Sequence, residues 1–340
     1  MKNNSRLKDV LFTLAFPIGT WLIMEILCLT LKDVHAIKSM LDIKTIIRNT
    51  GIAAVTAYAL SFNLHEGRFD LSLGAQRLAG TILGGLLAIK LGLTGFAFLL
   101  FAIIFGFIFG LLTGLAFIGF RVPPMVLGVG MALIWEVIPY VVSGGKGLNL
   151  FGAQGMGVLT ESWFQILVVI LMAIFVMILM NYTRLGYETK AVQGSQLIAQ
   201  NSGINIFRHA VECYALAGAL VCIAGVLDVS FTTQMSASLG NTSNGVVSAN
   251  MFAMILGGYI GERSDQSIGI IVAALTLSIF KYALSMMQLS EANNSVVNMV
   301  IFIAFLVFQA NRHVRKLHKE QRARVALAQE KKANRTEAVA

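Results

Sequence analysis

The chain has 340 residues, of which 56% are hydrophobic and only 13% are charged, and its mean hydropathy is +0.75. Soluble domains carry about 25% charged residues, so this composition excludes an ordinary soluble domain and indicates a membrane-embedded chain. The formal net charge is +9, but nine Lys/Arg against three Glu are concentrated in residues 312–340. Because the positive charge is not spread over a folded face, we do not expect nucleic-acid binding. We therefore predict a transmembrane domain, residues 1–311, and a basic cytoplasmic tail, residues 312–340.

Long apolar runs divide the first part of the chain. A helix needs roughly 20 apolar residues to cross the hydrocarbon layer, and ten segments approach or exceed that length. In chain order they are Leu11 to Leu31, Thr50 to Leu64, Leu71 to Ile89, Leu91 to Phe120, Met125 to Val142, Ser162 to Thr183, His209 to Phe231, Val229 to Gly261, Ser267 to Leu289 and Ala292 to Asn311. The fold class predicted from this pattern is an all-α polytopic membrane protein with about ten transmembrane helices. A signal peptide is the alternative for the first segment, but no small-residue cleavage site follows it.

Basic residues predict the orientation of the chain. Lys2, Arg6 and Lys8 precede the first span and the basic tail follows the last, so both termini are expected in the cytoplasm, with an even number of crossings. Lys32 to Arg48 is an exception, since it carries four basic residues on the outer side. We interpret this segment as a short interfacial helix that leads into the second span.

One short motif occurs twice. Arg68 to Gly74 reads RFDLSLG, and Arg263 to Gly269 reads RSDQSIG; we name them the first motif and the second motif. Each lies between two apolar runs, which makes a duplicated helix-loop-helix unit plausible, although short motifs also recur by coincidence.

An Asp placed just before an apolar helix can accept hydrogen bonds from free N–H groups, and a Ser two residues later adds a polar partner. We expect Asp70 with Ser72, and Asp265 with Ser267, either to stabilise broken helices beside a solute path or to cap ordinary cytoplasmic helix starts. The second and third spans are short, so the loop between them is expected to dip to membrane depth.

The motifs of several enzyme classes are absent from the sequence. It contains no phosphate-binding GxxxxGK[ST] loop, no HExxH and no GxSxG, so the chain itself is not expected to hydrolyse ATP or to act as a membrane enzyme. Its five histidines are scattered and its three cysteines lack metal-site spacing, so neither a metal nor a cofactor is expected. Cys28, Cys213 and Cys222 are expected to serve packing.

Ionisable residues inside spans are costly to bury unless they are paired or wetted. Arg77, Glu212 and Asp228 lie near span ends and are expected to be solvated. Glu136 and Lys281 lie deeper, and we expect each to form a structural ion pair or an interhelical hydrogen bond, or to take part in a solute pathway. A proton-coupled secondary carrier would require such a carboxylate. The role of Glu136 therefore decides whether this class of transporter is a valid alternative.

The largest cytoplasmic loop runs from Asn181 to Arg208. Between Glu188 and Asn201 it is rich in Ala, Gln and Leu, and Gly194 and Gly203 are its breakers, which predicts one short surface helix bracketed by turns. Such a helix would suit a groove on a soluble partner, and a plain connector is the alternative.

Three segments resemble permease subunits of bacterial ABC importers for monosaccharides, the ribose, xylose and galactose group, which is distantly similar to branched-chain amino-acid permeases. They are TGIAAVTAYALSFNLHEGRFDLSLGA, TRLGYETKAVQGSQLIAQNSGINIFRHAVECYALAGALVCIAGVL and ANMFAMILGGYIGERSDQSIG. The resemblance covers roughly Ser39 to Arg312, and the tetrad SGIN is its most specific element. The family's paired glycines before the first Asp are here His65, Glu66 and Gly67, which puts the substrate in doubt more than the architecture.

The resemblance implies a membrane assembly with several partners. Two permease subunits, identical or different, would pair with cytoplasmic ATP-binding subunits in the bacterial inner membrane and receive solute from an extracytoplasmic binding protein. Ala191 to Ile204 would be the coupling helix that contacts the ATPase, with Gln196, Ala199, Ser202 and Gly203 inside it. The expected function is uptake of a sugar or similar small polar solute by alternating access. Nucleoside or branched-chain amino-acid uptake, a proton-coupled secondary carrier and a membrane scaffold without transport are the alternatives, and the direction of transport rests on the resemblance alone.

Overall fold

The computed structural model of the protein describes residues 2–64, 66–153, 155–288, 293–294 and 296–308, together with residues 311 and 321. The chain divides into two compact units, Met1–Met286 and Met287–Ala340. The second unit contains a short apolar helix, Val296–Phe308, in its described part. The tenth predicted span lies partly, and the basic tail almost entirely, outside the described residues, so the tail stays a prediction.

The first unit consists of α-helices joined by short connections. They are α1 Lys2–Lys32, α2 Met40–Leu64, α3 Leu73–Lys90, α4 Gly95–Phe120, α5 Pro124–Val142, α6 Gly157–Thr160, α7 Ser162–Tyr182, α8 Arg184–Gly194, α9 Gln196–Asn201, α10 Ile206–Thr232, α11 Asn244–Ser248, α12 Met251–Gly261 and α13 Gln266–Met286. Among the described helices, α1, α4, α5, α7, α10 and α13 are long and apolar enough to cross a membrane. The all-α polytopic class is therefore confirmed.

The helices α2 and α3 occupy the interior of the unit. Every residue from Ala53 to Asn63 is buried, as is every residue from Leu73 to Ile82. Both helices contain Gly, Ala, Thr and Ser at many positions, and such small residues let helices approach closely where there is no lipid to face. These two stretches are therefore less apolar than the surrounding spans, because they contact protein on all sides. The first half of α2 is more exposed, with Met40 at 69% and Leu41 at 70%.

The eighth predicted span is wrong. Instead of one helix over Val229 to Gly261, α10 continues through Thr232, Thr233 adopts a left-handed φ of 58°, and the chain then passes through a non-helical stretch before α11 and α12. The reason is local, since residues 236–244 read SASLGNTSN and such residues favour turns and caps over helix interiors. The prediction was wrong because the stretch is long and contains no charged residue, which is also true of a membrane span.

The separate interfacial helix predicted over Lys32 to Arg48 is also wrong. Helix α1 extends through Lys32, and α2 already begins at Met40. The Asp42 carboxylate accepts hydrogen bonds from the backbone N–H groups of Lys38 and Ser39 at 2.7 and 2.8 Å and so stabilises the start of α2. The basic residue Arg48 therefore belongs to the first turns of a membrane helix.

Two short strands mark one end of the unit. Strand β1, Leu148–Asn149, pairs antiparallel with β2, Gln234–Met235, with Leu148 opposite Met235. Helix α10 leads from α9 to β2, so the β-ribbon and the pair α8–α9 lie at opposite ends of α10. We name these the ribbon end and the α8–α9 end of the unit.

Small residues at four-residue spacing mediate the closest helix contacts. Gly106 of α4 packs against the backbone of Gly218 in α10, and Gly110 packs against the backbone of Tyr214. Gly84 of α3 contacts Ala102 of α4 in the same way. These glycines therefore serve packing inside the chain.

Candidate functional site

The first motif runs as a non-helical segment into the interior of the unit, between the end of α2 and the start of α3. Gln76, in the first turn of α3, lies beside the middle of α10: its backbone carbonyl accepts a hydrogen bond from Cys222 Sγ at 3.2 Å, and its side chain packs on Gly218. Helix α3 therefore starts about halfway along α10. Irregular backbone at that depth requires protein or a watery cavity around it.

Asp70 closes a turn at the start of α3. Its Oδ1 accepts hydrogen bonds from the backbone N–H and the hydroxyl of Ser72 at 2.8 and 2.6 Å. The Ser72 hydroxyl accepts in turn from Gln76 Nε2 at 2.7 Å. Asp70 and Ser72 are both buried, so this turn is a hydrogen-bonded polar group inside an apolar surrounding.

The second motif forms the same turn at a different depth. Asp265 Oδ1 accepts from the backbone N–H of Ser267 at 2.9 Å, and Asp265 Oδ2 accepts from Asn181 Nδ2, at the end of α7, at 2.7 Å. The Ser267 carbonyl accepts from the Tyr58 hydroxyl at 2.7 Å. Arg263 is exposed, with its guanidinium 4.4 Å from the centre of the Phe12 ring. The second motif therefore lies near the α8–α9 end.

Beside the first motif lies a buried ionic cluster, which we name the Glu66 cluster: Glu66, Arg68, Glu188 and His209. Glu66 bonds through Oε1 to His209 Nε2 at 2.6 Å and pairs through Oε2 with Arg68. His209 Nδ1 lies 3.5 Å from Glu188 Oε2. The cluster thus connects the segment before the first motif with α10 and with α8, because Glu188 belongs to α8 and His209 to α10.

In the sequence, Glu66 is notable only as a departure from paired glycines, and His209 only as one of five scattered histidines. No spacing connects positions 66, 188 and 209, because tertiary packing alone brings them together. The available signal was weak: each of these ionisable residues lies close to the end of an apolar run, where a buried partner is required if the residue does not reach water.

The predicted coupling segment, Ala191 to Ile204, contains the end of α8 and the whole of α9, and the helices are interrupted at the two glycines expected to be breakers, Gly194 and Gly203. Helix α8 ends at Gly194, and the Ser195 hydroxyl caps α9 by accepting a hydrogen bond from the N–H of Ile198 at 3.4 Å. A Gly followed by Ser favours this break, since Gly weakens helices and Ser is a preferred N-cap.

The four residues assigned to coupling have different positions. Ala199 is buried, and Gln196 Nε2 donates to the Glu66 carbonyl at 2.9 Å. Ser202 is exposed and its hydroxyl donates to the Ile198 carbonyl at 2.9 Å. Gly203 has a φ of 88°, which L-residues with side chains rarely adopt, and it allows Ile204 N to return to Ala199 O at 3.1 Å.

The exposed side of α9 contains two large apolar side chains beside its polar residues. Leu197 is 68% exposed and Ile198 is 67% exposed, and Phe207 at the start of α10 is also exposed. Next to them lies a cleft of about 700 Å³ lined by residues 66–68, the α9 to α10 connection and the α4 to α5 turn. Exposed apolar side chains around a cleft are typical of a surface that binds another protein.

Glu136 has no exposed surface and connects α5 with the connection before α11. Its carboxylate accepts hydrogen bonds from the backbone N–H groups of Asn241 and Ser243 at 2.7 and 3.0 Å and from the Ser243 hydroxyl. These hydrogen bonds join a helix to a non-helical segment, so they differ from the interhelical hydrogen bond considered above for this residue. They stabilise the non-helical stretch that replaced the eighth predicted span, and a pathway role for Glu136 stays a prediction.

The expected solvation at span ends fails for Arg77 and holds in part for Asp228. Arg77 is 4% exposed, and its guanidinium pairs with the Asp228 carboxylate at 2.5 Å, whereas the Asp228 side chain, close to the end of α10, is 32% exposed. The expectation failed for Arg77 because α3 starts deep inside the unit, so its second turn is enclosed by other helices. Lys281 donates to the Ala249 carbonyl at 3.2 Å.

Three ligand-type side chains come together in the described part of the chain at Glu66, His209 and Cys213. A divalent ion there would compete with Arg68, whose guanidinium already pairs with Glu66. A neighbouring fixed cation opposes metal binding, so we interpret the group as an ion-pair network. Cys28, Cys213 and Cys222 are free and buried, in agreement with a packing role.

A family model described as branched-chain amino acid transport system / permease component matches residues 43–306. The chain belongs to this permease family. The match spans both motifs, the Glu66 cluster and α8–α9, so the geometry above is that of a permease.

Several permeases with known assignments are similar to the chain. The ribose import permease protein of Escherichia coli is 25% identical over 277 residues, 77% of this chain and 84% of that protein. The autoinducer 2 import system permease protein of Salmonella typhi is 25% identical over 303 residues, 84% and 88% of the two chains. The L-arabinose transport system permease protein of Escherichia coli is 24% identical over 176 residues, 50% and 53% of the two chains. The similarity supports the monosaccharide branch of ABC importer permeases.

Proposed function

We propose that this permease is the membrane subunit of an importer for a monosaccharide or similar small polar solute, driven by a separate cytoplasmic ATPase. The names of the ribose, arabinose and autoinducer 2 relatives support a small polyhydroxylated solute. In the proposed assembly the chain spans the bacterial inner membrane, pairs with a second permease subunit and receives solute from an extracytoplasmic binding protein. Both termini and the α8–α9 end face the cytoplasm, and the basic tail lies against anionic lipid headgroups.

The observation that carries the proposal is the contact between α9 and the segment just before the first motif. Gln196 donates to the Glu66 carbonyl at 2.9 Å while the neighbouring Leu197 and Ile198 point their apolar side chains to the surface. An ATPase that buries these two side chains would therefore hold an element that is hydrogen-bonded to the protein interior.

Movement of α8–α9 has a direct route to the middle of the membrane. Glu188 on α8 faces His209, His209 bonds to Glu66, and Glu66 pairs with Arg68 at the beginning of the first motif. Four residues further along, Ser72 immediately precedes α3. ATPase closure would thus shift the start of α3, and the solute cavity would open alternately to the two sides, as in alternating access.

The two motifs remain our candidates for the walls of the solute path. We propose that Asp70 with Ser72, and Asp265 with Ser267, hold the starts of α3 and α13 in place while neighbouring helices move. Glu136 would act in the same way on the stretch before α11. The Glu136 carboxylate accepts three hydrogen bonds, so its oxygens are already occupied as acceptors. This argues against Glu136 as a proton carrier and hence against the secondary-transporter alternative.

Gly203→Val tests the coupling assignment. The left-handed φ of 88° at Gly203 is costly for a β-branched residue, about 1 to 2 kcal/mol, so the turn between α9 and α10 should distort. We expect ATP-driven uptake of ribose or arabinose in proteoliposomes to fall about tenfold, and stimulation of the ATPase by loaded binding protein to be lost.

Gly194→Val is the matched control. Both glycines have open space where a Cβ would be added, but Gly194 lacks a positive φ. Its variant should retain uptake to within about twofold. Normal uptake and normal ATPase stimulation in Gly203→Val would remove the coupling assignment, and failure of an ATPase subunit to copurify with the wild-type permease would contradict the proposed function itself.

A further inference from the structure

Two polar cavities flank the Arg77–Asp228 ion pair in the half of the unit nearer the ribbon end. One, of about 260 Å³, is lined by this pair and by polar side chains of α2, α13 and the start of α12: Asn49, Asn250, Ser278 and Lys281. The other, of about 270 Å³, is lined by the same pair and by polar residues near β2 and α11: Thr232, Gln234, Ser236, Ser238, Thr242 and Ser243. The ion pair is therefore shared by both cavities.

The pair retains hydrogen-bonding capacity toward these cavities. Arg77 Nε, although buried, has no hydrogen-bond partner among the described residues. The Asp228 side chain is 32% exposed, so part of its carboxylate is accessible from the cavities. A buried guanidinium N–H without a partner is costly, and a bound polar molecule would supply the missing acceptor.

Packing of α3 on α10 also involves contacts other than this ion pair. Gly225 of α10 fits against Thr81 and the aliphatic part of Arg77, and Gly218 fits against Gln76, so the backbones approach closely along several turns. A buried ion pair by itself is weak evidence for stability, because desolvation of the two charges offsets their attraction. The position of the pair between two polar cavities therefore points to a role beyond holding the helices together.

We propose that Arg77 and Asp228 form a binding site for a neutral, polyhydroxylated solute of monosaccharide size. This rests on the proposed function, since it names the contacts that a transported sugar would make within the permease. Neighbouring hydroxyl groups of a polyol can donate to a carboxylate and accept from a guanidinium at the same time, which matches this adjacent donor and acceptor.

The charges at the site define the solute further. Asp228 neutralises Arg77, and the Lys281 ammonium adds one further positive charge to the first cavity. A cationic solute would be repelled, whereas a neutral polyol needs no counter-ion. Each cavity is slightly smaller than the range of about 300 to 1,000 Å³ typical of drug-sized ligands, which excludes large substrates.

The first test uses the complete complex of permease, ATPase and binding protein in proteoliposomes, with radiolabelled D-ribose and L-arabinose as probes. The double variant Arg77→Met/Asp228→Leu removes both charges together, so neither is left unpaired. We expect it to raise the KM for uptake at least tenfold. Arg48→Gln is the control, since Arg48 contacts Phe231 and Gln165 and lines a different, apolar cavity; its KM should change less than twofold.

A deoxy sugar separates solute binding from a structural role. The wild-type complex should prefer ribose over 2-deoxyribose by at least tenfold, and the double variant should lose most of this preference. A structural pair would lower the yield or the maximal rate and leave the preference intact.

The second test does not depend on the uptake rate. Ser236→Cys places a thiol in the second cavity, and the native cysteines are buried. In the purified complex, millimolar ribose or arabinose should slow its reaction with a methanethiosulfonate reagent at least threefold, and should not slow that of Thr160→Cys, which is exposed and lies outside both cavities.

The outcomes separate this inference from the proposed function. ATP-dependent uptake that is indifferent to Arg77 and Asp228, with unchanged sugar preference and no protection of Ser236→Cys, overturns the inference alone. Absence of ATP-dependent uptake of either sugar by the wild-type complex overturns both.

Discussion

Arg68 and Arg263 begin two copies of one short motif, yet their surroundings are opposite. Arg68 is 5% exposed and pairs with the buried carboxylate of Glu66, whereas Arg263 is exposed and lies over the ring of Phe12. In both copies the Asp accepts a hydrogen bond from the backbone N–H of the Ser two residues later, at 2.8 Å in the first motif and 2.9 Å in the second. The turn is therefore a local property, while the burial is not.

The difference shows what the neighbouring helices contribute. The first motif follows the buried second half of α2, and its turn lies beside the middle of α10. The second motif follows α12 and is held by Asn181 at the end of α7. The first motif is thus placed to respond, through Glu66, to a partner that binds α8–α9. The second motif is placed to anchor α13 near the surface.

The largest difference is expected for the two arginines. Arg68→Ala leaves Glu66 buried and without its cation, which should lower the free energy of unfolding by about 3 to 5 kcal/mol. Arg263→Ala removes only an exposed contact with an aromatic ring and should cost about 0.5 to 1 kcal/mol. Unfolding of both variants in detergent, followed by tryptophan fluorescence against increasing denaturant, measures this. Equal losses would contradict the contrast between the two environments.

The glycines that close the motifs should behave alike. A Cβ at Gly74 would lie 2.5 Å from the Ser243 carbonyl oxygen, and a Cβ at Gly269 would lie 2.4 Å from the Gly257 carbonyl oxygen. Since backbone must move in both cases, Gly74→Ala and Gly269→Ala should each cost about 1 to 3 kcal/mol in the same unfolding assay. Gly130→Ala, where nothing lies within 4 Å of the added atom, is the control and should be close to neutral or slightly stabilising.

A smaller contrast is expected for the aspartates. Asp70→Ala leaves the buried Ser72 hydroxyl and N–H without their acceptor and should cost about 2 kcal/mol, whereas Asp265→Ala, at a half-buried turn, should cost about 1 kcal/mol. Ribose uptake per folded complex should fall more in Asp70→Ala than in Asp265→Ala, because the first turn lies deeper. A reversed order in both assays would show that depth does not determine the importance of these turns.

Much of the architecture follows from periodicity and composition. The runs around α1, α4, α5, α7, α10 and α13 are so apolar that only a membrane or a large core can accommodate them, and these spans were predicted correctly to within a few residues. The Asp-x-Ser turn was also predicted, because its hydrogen bond joins residues two positions apart. The continuous span over Val229 to Gly261 was not, since polar residues without charge were counted as membrane-compatible.

Within the candidate site, single residues could be predicted from the sequence, but the pairs that they form in the structure could not. Asp70, Ser72, Asp265 and Ser267 could be named from a repeated pattern. Pairs such as Glu66 with His209, Arg77 with Asp228, or Glu136 with Ser243 are separated by more than a hundred positions, and nothing in their local sequence indicates a partner.

The sequence by itself determined the permease class, the places where helices begin with an Asp-x-Ser turn, and the small-residue faces of α3 and α4. These depend on hydrophobicity and hydrogen bonds over a few residues, which act in any surrounding. Only the tertiary structure decided that α3 starts halfway along α10. From that depth follow the burial of Arg68 and Arg77, the need for carboxylates beside them, and the polar cavities around Asp228. The physical reason is that the cost of a charge depends on the surrounding dielectric, and only the packing of distant helices sets that surrounding.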